Sequence, residues 1–272
     1  MKLEVLSDKG PQIIPLRAFR DNYIWLLRLG PYAAVIDPGE AAPVLAYLAA
    51  EKLQLLAILA THHHDDHVGG IAEILAQLQK ETLIPVYGPQ AENIAGVTQA
   101  LVDGDRVDLP ALQSSFEVME VPGHTRGHIA YYGRQLCGSG AVFCGDTLFA
   151  CGCGRIFEGT PAQMWQSLCR LAALPAATRV YCAHEYTEAN IQFALAVEPD
   201  NADLGRRATE VAELRAKDLP TVPSTLADEL ATNPFLRAAA PQVRHAAANF
   251  SGTGPIDDDA VFTAIRAWKN KF

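Results

Sequence analysis

The sequence predicts an α/β fold, an αββα sandwich of two sheets covered by helices, followed by a C-terminal, mainly helical domain. Three observations carry this expectation. Short apolar runs of strand length dominate the first half and alternate with helical stretches. The segment Thr61-His62-His63-His64-Asp65-Asp66-His67 follows directly on the apolar run Leu55-Leu56-Ala57-Ile58-Leu59-Ala60, at the strand-to-loop edge where open α/β sheets place their ligand sites. From about Tyr186 the strand pattern gives way to helices. A boundary near residues 178–188 is expected, giving a metal-binding domain over 1–183 and a mainly helical domain over 184–272.

The elements follow in order. Ile13 to Leu16, Tyr23 to Leu29 and Tyr32 to Ile36 read as strands, separated by the turn signals Arg20-Asp21-Asn22 and Gly30-Pro31. Asp37-Pro38-Gly39 closes this meander, and Ala41 to Leu53 reads as a helix. After the His-rich segment, Gly69-Gly70 leads into a helix from Ile71 to Gln79. Strands are expected at Pro85 to Tyr87, Phe116 to Val121, Ile129 to Tyr132 and Ala141 to Cys144. Thr160-Pro161 is a helix cap followed by proline at the first helical position, so Ala162 to Ala173 is helical. Thr178 to Cys182 is the last expected strand. Helices follow at Ala189 to Val197, Ala202 to Lys217, Ala240 to Ala248 and Asp258 to Trp268, with the proline-rich linker Leu219 to Ser224 between them.

Composition bounds the function. A chain of 272 residues with 49% hydrophobic content can bury a large core. A net charge of −9 and a pI near 5.3 argue against nucleic acid as a partner, while leaving room for a local basic pocket that binds an acidic small molecule. Met1-Lys2-Leu3-Glu4-Val5 carries charge where an export signal needs an apolar stretch, and no apolar run reaches membrane-spanning length. A cytoplasmic protein with no membrane partner is therefore expected, and a monomer. The six cysteines show no CxxC spacing, so buried free thiols are expected rather than a Cys-based metal site.

Four segments share one local address, a ligand-type residue just after a strand. They are the His62–His67 cluster, Gly123-His124-Thr125, Gly145-Asp146-Thr147 and Ala183-His184-Glu185. Five histidines and two aspartates exceed what one tetrahedral ion needs, so a binuclear centre is the natural arithmetic. His62, His64 and His124 are expected to hold one ion, and Asp66, His67 and His184 the other. Asp146 would bridge, together with a water or hydroxide. Zinc suits such donors. Two ions would bring that water's pKa toward neutrality, so Asp66 and Asp146 are the expected catalytic side chains of a metal-assisted hydrolysis. His63 and His128 read as structural, His128 with a possible supporting bond to a ligand, and His245 as helix surface.

The His-x-His-x-Asp-His pattern within residues 62–67, continued by His124, Asp146 and His184, resembles the metallo-β-lactamase superfamily, so the sandwich is expected to be metallo-β-lactamase-like. More narrowly, the chain resembles the glyoxalase II (hydroxyacylglutathione hydrolase) family. The marks are Asp21-Asn22-Tyr23, Cys151-Gly152-Cys153-Gly154-Arg155, Phe157-Glu158-Gly159-Thr160, His184-Glu185-Tyr186-Thr187, Pro223-Ser224-Thr225-Leu226, Asn233-Pro234-Phe235-Leu236-Arg237 and Arg266-Ala267-Trp268-Lys269. They span essentially the whole chain. The resemblance implies two divalent metals, zinc first with iron or manganese as alternatives, a substrate-binding role for the helical domain over 184–272, and hydrolysis of S-D-lactoylglutathione to glutathione and D-lactate by a metal-bridging hydroxide, the second step of methylglyoxal detoxification. It also implies that Arg155, Tyr186, Arg266 and Lys269 bind the glutathione moiety, whose carboxylates suit a guanidinium fork or an ammonium. Phe157 departs from a tyrosine found in some members and cannot hydrogen-bond, and Arg155 replaces a lysine with a different donor geometry. The rivals are a persulfide dioxygenase with one iron, a β-lactamase, an RNA-processing nuclease and a non-catalytic metal module. Retention of Asp66, His67 and His184, together with the basic pair near the C-terminus, favours the thioesterase.

Overall fold

The computed structural model describes residues 10–78, 83–254 and 257–272. The charged segment Met1 to Val5 and the expected helix end at Gln79 lie outside the described residues. The chain forms two compact units, one holding the described residues up to Met119 together with Tyr131–Ala141, the other Glu120–Ala130 and Val142–Phe272.

The first unit opens with β1 (Gln12–Ala18), β2 (Asn22–Leu29) and β3 (Tyr32–Ile36), an antiparallel meander. In β2 every residue is buried except the half-buried Arg28, as expected of a strand covered on both faces. Helix α1 (Ala41–Glu51) crosses to β4 (Gln54–Leu59), which runs parallel to β3 with Ile36 opposite Leu59. Lys52 takes a left-handed φ of 53° and ends α1 before the expected Leu53. The one-turn α2 (Asp65–Val68) and α3 (Ile71–Leu78) follow, then β5 (Val86–Pro89) and β6 (Gln99–Leu101). The six strands lie in the order β1-β2-β3-β4-β5-β6. Ile24, Leu26, Val35 and Ile58 pack with Val44 and Leu48 of α1 and Ile71 and Ile74 of α3 in one apolar core. A second run holds β7 (Arg106–Leu109), β8 (Ser114–Glu120) and β9 (Ile129–Gly133), adjacent in the order β9-β8-β7. Sequence reading passed over β6 and β7, three- and four-residue strands with exposed polar positions and too few apolar residues to show a period.

The second unit carries β10 (Ala141–Gly145) and the tight hairpin of β11 (Leu148–Phe149) and β12 (Gly152–Cys153). Helix α4 (Pro161–Ala172) starts at Thr160 in a reciprocal cap with Gln163. Strand β13 (Arg179–Cys182) lies between β10 and β14 (Ser224–Thr225). Among the described residues five helices complete the unit, α5 (Thr187–Val197), α6 (Ala202–Ala216), α7 (Leu226–Thr232), α8 (Pro241–Ser251) and α9 (Asp258–Lys269). The expected linker ends in β14 and leads into α7, which sequence reading passed over. Its local signal is the reciprocal cap of Thr225 with Asp228. Phe193 of α5 stacks on Phe235 at 5.9 Å, and Phe235 meets Phe262 of α9 edge-on at 6.0 Å, which seats the helices on a shared aromatic core.

Candidate metal centre

In the first unit the parallel pairing of β3 and β4 brings the ends of both strands to one edge, so Asp37 lies beside Thr61. Asp37 is buried and accepts from the Thr61 backbone N–H at 2.8 Å and the Thr61 hydroxyl at 2.7 Å. Its Oδ2 also lies 3.0 Å from Nδ1 of His67. A carboxylate only accepts, so Nδ1 of His67 carries the proton and Nε2 keeps its lone pair. The same logic fixes His62. The Thr61 hydroxyl gives its hydrogen to Asp37 and lies 3.1 Å from Nδ1 of His62, which therefore donates and leaves Nε2 basic. That Nε2 lies 3.1 Å from Nδ1 of His64, and the rings of His62 and His67 are 4.0 Å apart. Asp66 Oδ2 accepts from the Asn22 amide at 3.0 Å and lies 3.7 Å from Nε2 of His67.

The backbone changes conformation within this segment. His62 lies in a bend, His64 is the extended cap residue of α2, and Asp66 and His67 sit on that helical turn. A Cβ at Gly39 would come within 1.9 Å of the Asp66 carbonyl oxygen, so only glycine lets the two loops touch. His63 pairs instead with Glu92 at 2.9 Å, in keeping with a structural role.

In the second unit Gly145 O accepts from Ala183 N at 3.3 Å, which aligns the ends of β10 and β13 and places Asp146 near His184. One Asp146 oxygen lies 3.4 Å from Nε2 of His124 and the other 3.3 Å from Nε2 of His184. All three residues are buried. Nδ1–H of His124 donates to the Arg155 carbonyl at 2.8 Å, so its Nε2 is again the basic nitrogen. His128 accepts the Asp146 backbone N–H through Nε2 at 3.1 Å, a supporting bond to a ligand-bearing turn. His245 is exposed on α8, as expected.

The expected substrate residues all lie in this unit. Arg155 is exposed. The Tyr186 ring is 37% exposed and stacks on His184 at 4.7 Å with an interplanar angle of 5°. Phe157, 63% exposed, meets His124 edge-on at 5.3 Å. Arg266 is only 5% exposed and donates from Nη1 to the Cys153 carbonyl at 2.9 Å, with its guanidinium over Phe235. Lys269 is half-buried, donates to the Ala189 carbonyl at 3.0 Å and lies 5.0 Å above the Phe193 ring. Burial, then the neighbouring Arg266 charge, lowers its pKa to about 8.

The donors suit a divalent metal: imidazole nitrogens with their other N–H tied down, and carboxylates. The thiols do not. No disulfide joins the six cysteines, and burial pushes Cys151 and Cys182 up to about 12 and Cys144 well above its usual range, so these stay protonated. Sequence reading missed Asp37 and gave Asn22 no role. The available signal was an aspartate directly after a strand, the address shared by the ligands themselves.

Comparison with known proteins bears on both regions. Residues 17–184 match the family model of the metallo-beta-lactamase superfamily, and residues 185–272 that of the hydroxyacylglutathione hydrolase C-terminus. The chain is 52% identical over 260 residues to a hydroxyacylglutathione hydrolase of Nitrosomonas eutropha, covering 96% of this chain and 98% of the relative. Among solved structures, ETHE1 from Myxococcus xanthus superposes with a TM-score of 0.61 at 23% identity, covering 95% of this chain and 99% of that one. TTHA1623, solved in a di-iron-bound form, has a TM-score of 0.51 at 31% identity, covering 64% of this chain and 91% of that one. The expected α/β fold with a helical C-terminal region is confirmed. Among the described residues no helix is long and apolar enough to cross a membrane.

Proposed function

The chain belongs to the hydroxyacylglutathione hydrolase family of the metallo-β-lactamase superfamily, and from that premise we propose how its residues hydrolyse a glutathione thioester, chiefly S-D-lactoylglutathione, to glutathione and D-lactate. The observation that carries the reading is the Asp146 carboxylate, which sets one oxygen beside Nε2 of His124 and the other beside Nε2 of His184. A carboxylate so placed is suited to bridge two ions.

We assign His62, His64 and His124 to one divalent ion and Asp66, His67 and His184 to the second, with Asp146 shared. Zinc is favoured by the donor set, and the di-iron form of TTHA1623 makes iron the first alternative. When bound, two such ions supply a Lewis acid for the thioester carbonyl and a water acidic enough to attack near neutral pH. The chain's own residues do the rest. Asp37 and the Arg155 carbonyl hold His67 and His124 in the ligating tautomer. Asp66, steadied by Asn22, orients the attacking water. Hydrolysis joins the water oxygen to the acyl carbon and breaks the C–S bond. The leaving thiolate, of pKa about 8.5, needs no strong general acid. Arg155, Tyr186 and Lys269 receive the glutathione moiety, while Arg266, expected to join them, is only 5% exposed and holds the Cys153 carbonyl two residues before Arg155. The expectation of a cytoplasmic monomer is retained as part of this proposal.

The test is purified protein offered S-D-lactoylglutathione and, separately, glutathione persulfide with oxygen. Thioester loss without oxygen uptake is expected. Oxygen uptake on the persulfide without thioester loss would move the chain to the dioxygenase branch.

A further inference from the structure

The hairpin turn between β11 and β12 has an unusual set of partners. Five backbone groups of Phe149–Cys153 are bonded by side chains from the helical region. The Asn233 amide donates to the Phe149 carbonyl at 3.1 Å and the Gly152 carbonyl at 2.9 Å. Asn190 donates to the Ala150 carbonyl at 3.1 Å, and Arg266 to the Cys153 carbonyl at 2.9 Å. The Cys151 N–H donates to Glu229 at 2.8 Å. Cys151 itself has a φ of 55°, the left-handed region that an L-residue holds only when its surroundings impose it.

Glu229 is the centre of this set. It is 0% exposed, and a carboxylate there needs compensation. Arg207 supplies it, donating from Nη2 to Oε1 at 2.6 Å and from Nη1 to the Thr232 hydroxyl at 2.6 Å. Asn233 donates to Oε2 at 3.0 Å. Glu229 thus accepts from three donors, Arg207, Asn233 and the Cys151 N–H; the guanidinium and the backbone N–H cannot accept, and the Asn233 amide could do so only by giving up its bonds to the Phe149 and Gly152 carbonyls.

The turn leads straight to the metal centre. Phe149 meets the His184 ring edge-on at 5.9 Å. Beyond the turn, Gly154 passes so close that a Cβ would lie 1.9 Å from the Asp146 carbonyl oxygen. The next carbonyl, that of Arg155, fixes the His124 tautomer at 2.8 Å. We infer that Glu229, with Arg207 and Asn233, is a positioning residue: it holds the Phe149–Cys153 turn so that Arg155 is presented to substrate and His124 to metal. Bonds of this outer kind are worth about 10- to 100-fold in metal affinity or activity.

This rests on the thioesterase reading above, and its test is matched to separate the two. Glu229→Gln keeps the shape but sets an amide N–H against a donor. Glu198→Gln makes the same change in another buried ion pair of the helical region, Glu198 with Arg237 at 2.8 and 3.0 Å, which has no bond to the turn. Metal affinity by chelator competition, KM, kcat and thermal midpoint are measured for both. Glu229→Gln is expected to weaken metal binding about 10-fold or more and to raise KM, while Glu198→Gln lowers the thermal midpoint alone. Arg207→Lys, which keeps the charge but loses the forked contact, is expected to shift metal affinity and KM in the same direction by less. Equal effects of the two glutamate variants on stability, with metal affinity and KM unchanged, would overturn the inference. So would failure of both Glu229→Gln and Arg207→Lys to fold while Glu198→Gln folds, since that makes the pair a stability element only. Wild-type protein that hydrolyses no thioester would contradict the functional reading, while the metal-affinity comparison would still decide this one.

Discussion

Oδ2 of Asp37 lies 3.0 Å from Nδ1 of His67, and the same oxygen accepts the Thr61 hydroxyl that orients His62. One buried carboxylate therefore sets the tautomer of two metal-type histidines. Asp37→Asn offers an N–H where His67 needs an acceptor. It is expected to lower metal affinity or kcat/KM by about 10- to 100-fold, read by metal content after dialysis and by thioester hydrolysis. Retention of full metal content and rate would show that His67 needs no such support.

Asp146 is the proposed shared ligand, so its loss is expected to exceed that of any supporting residue. Asp146→Asn should cost more than about 100-fold in kcat and leave fewer metals per chain, since the amide carries no charge and only one oxygen. A rate within a few-fold of wild type would remove Asp146 from the centre.

Arg155 and Lys269 are the two cationic side chains proposed to meet substrate carboxylates. Arg155→Ala is expected to raise KM by about 10-fold or more with kcat little changed, the loss of one charge-assisted bond of about 1.5–3 kcal/mol. Lys269 titrates at about 8. KM should therefore rise as pH passes through 8 and Lys269 loses its charge, and Lys269→Arg should flatten that rise. The stability consequence has a definite sign. The folded pKa lies below the ordinary 10.5, so between pH 8 and 10.5 the unfolded chain binds more protons. The destabilisation from Lys269 is complete below pH 8 and is relieved as pH climbs toward 10.5. A pH-independent KM would show that Lys269 does not meet the substrate.

Cys144, Cys151, Cys153 and Cys182 are buried, and burial raises the pKa of each, whereas Cys137 and Cys169 are exposed. A thiol-specific disulfide reagent should modify Cys137 and Cys169 in the native protein and the other four only on unfolding. Fast loss of activity on modifying any buried thiol would contradict the placement.

Much of the metal chemistry was legible because ligands of unusual density followed recognisable strands. The strand ends at Ala60, Val121, Cys144 and Cys182 could be read from their apolar runs, and each is followed by residues of the proposed centre. Three features were hidden for physical reasons. Asp37 looks like turn punctuation in Asp37-Pro38-Gly39, and its role depends on the parallel pairing of β3 with β4, which no local pattern encodes. Arg266 is expected from the resemblance to meet substrate, yet it is buried on the Cys153 carbonyl, 113 residues away, a contact no local pattern encodes. Glu229 and Arg207 sit in helices whose polar positions look like surface until the turn they hold is seen.

The most direct measurement is a titration of metal-stripped protein with Zn²⁺, following S-D-lactoylglutathione hydrolysis and bound metal together. Activity should rise to saturation at two ions per chain and be abolished by chelation, with Asp146→Asn failing to reach that stoichiometry. Full hydrolysis at one ion per chain, or hydrolysis indifferent to metal, would contradict the binuclear account.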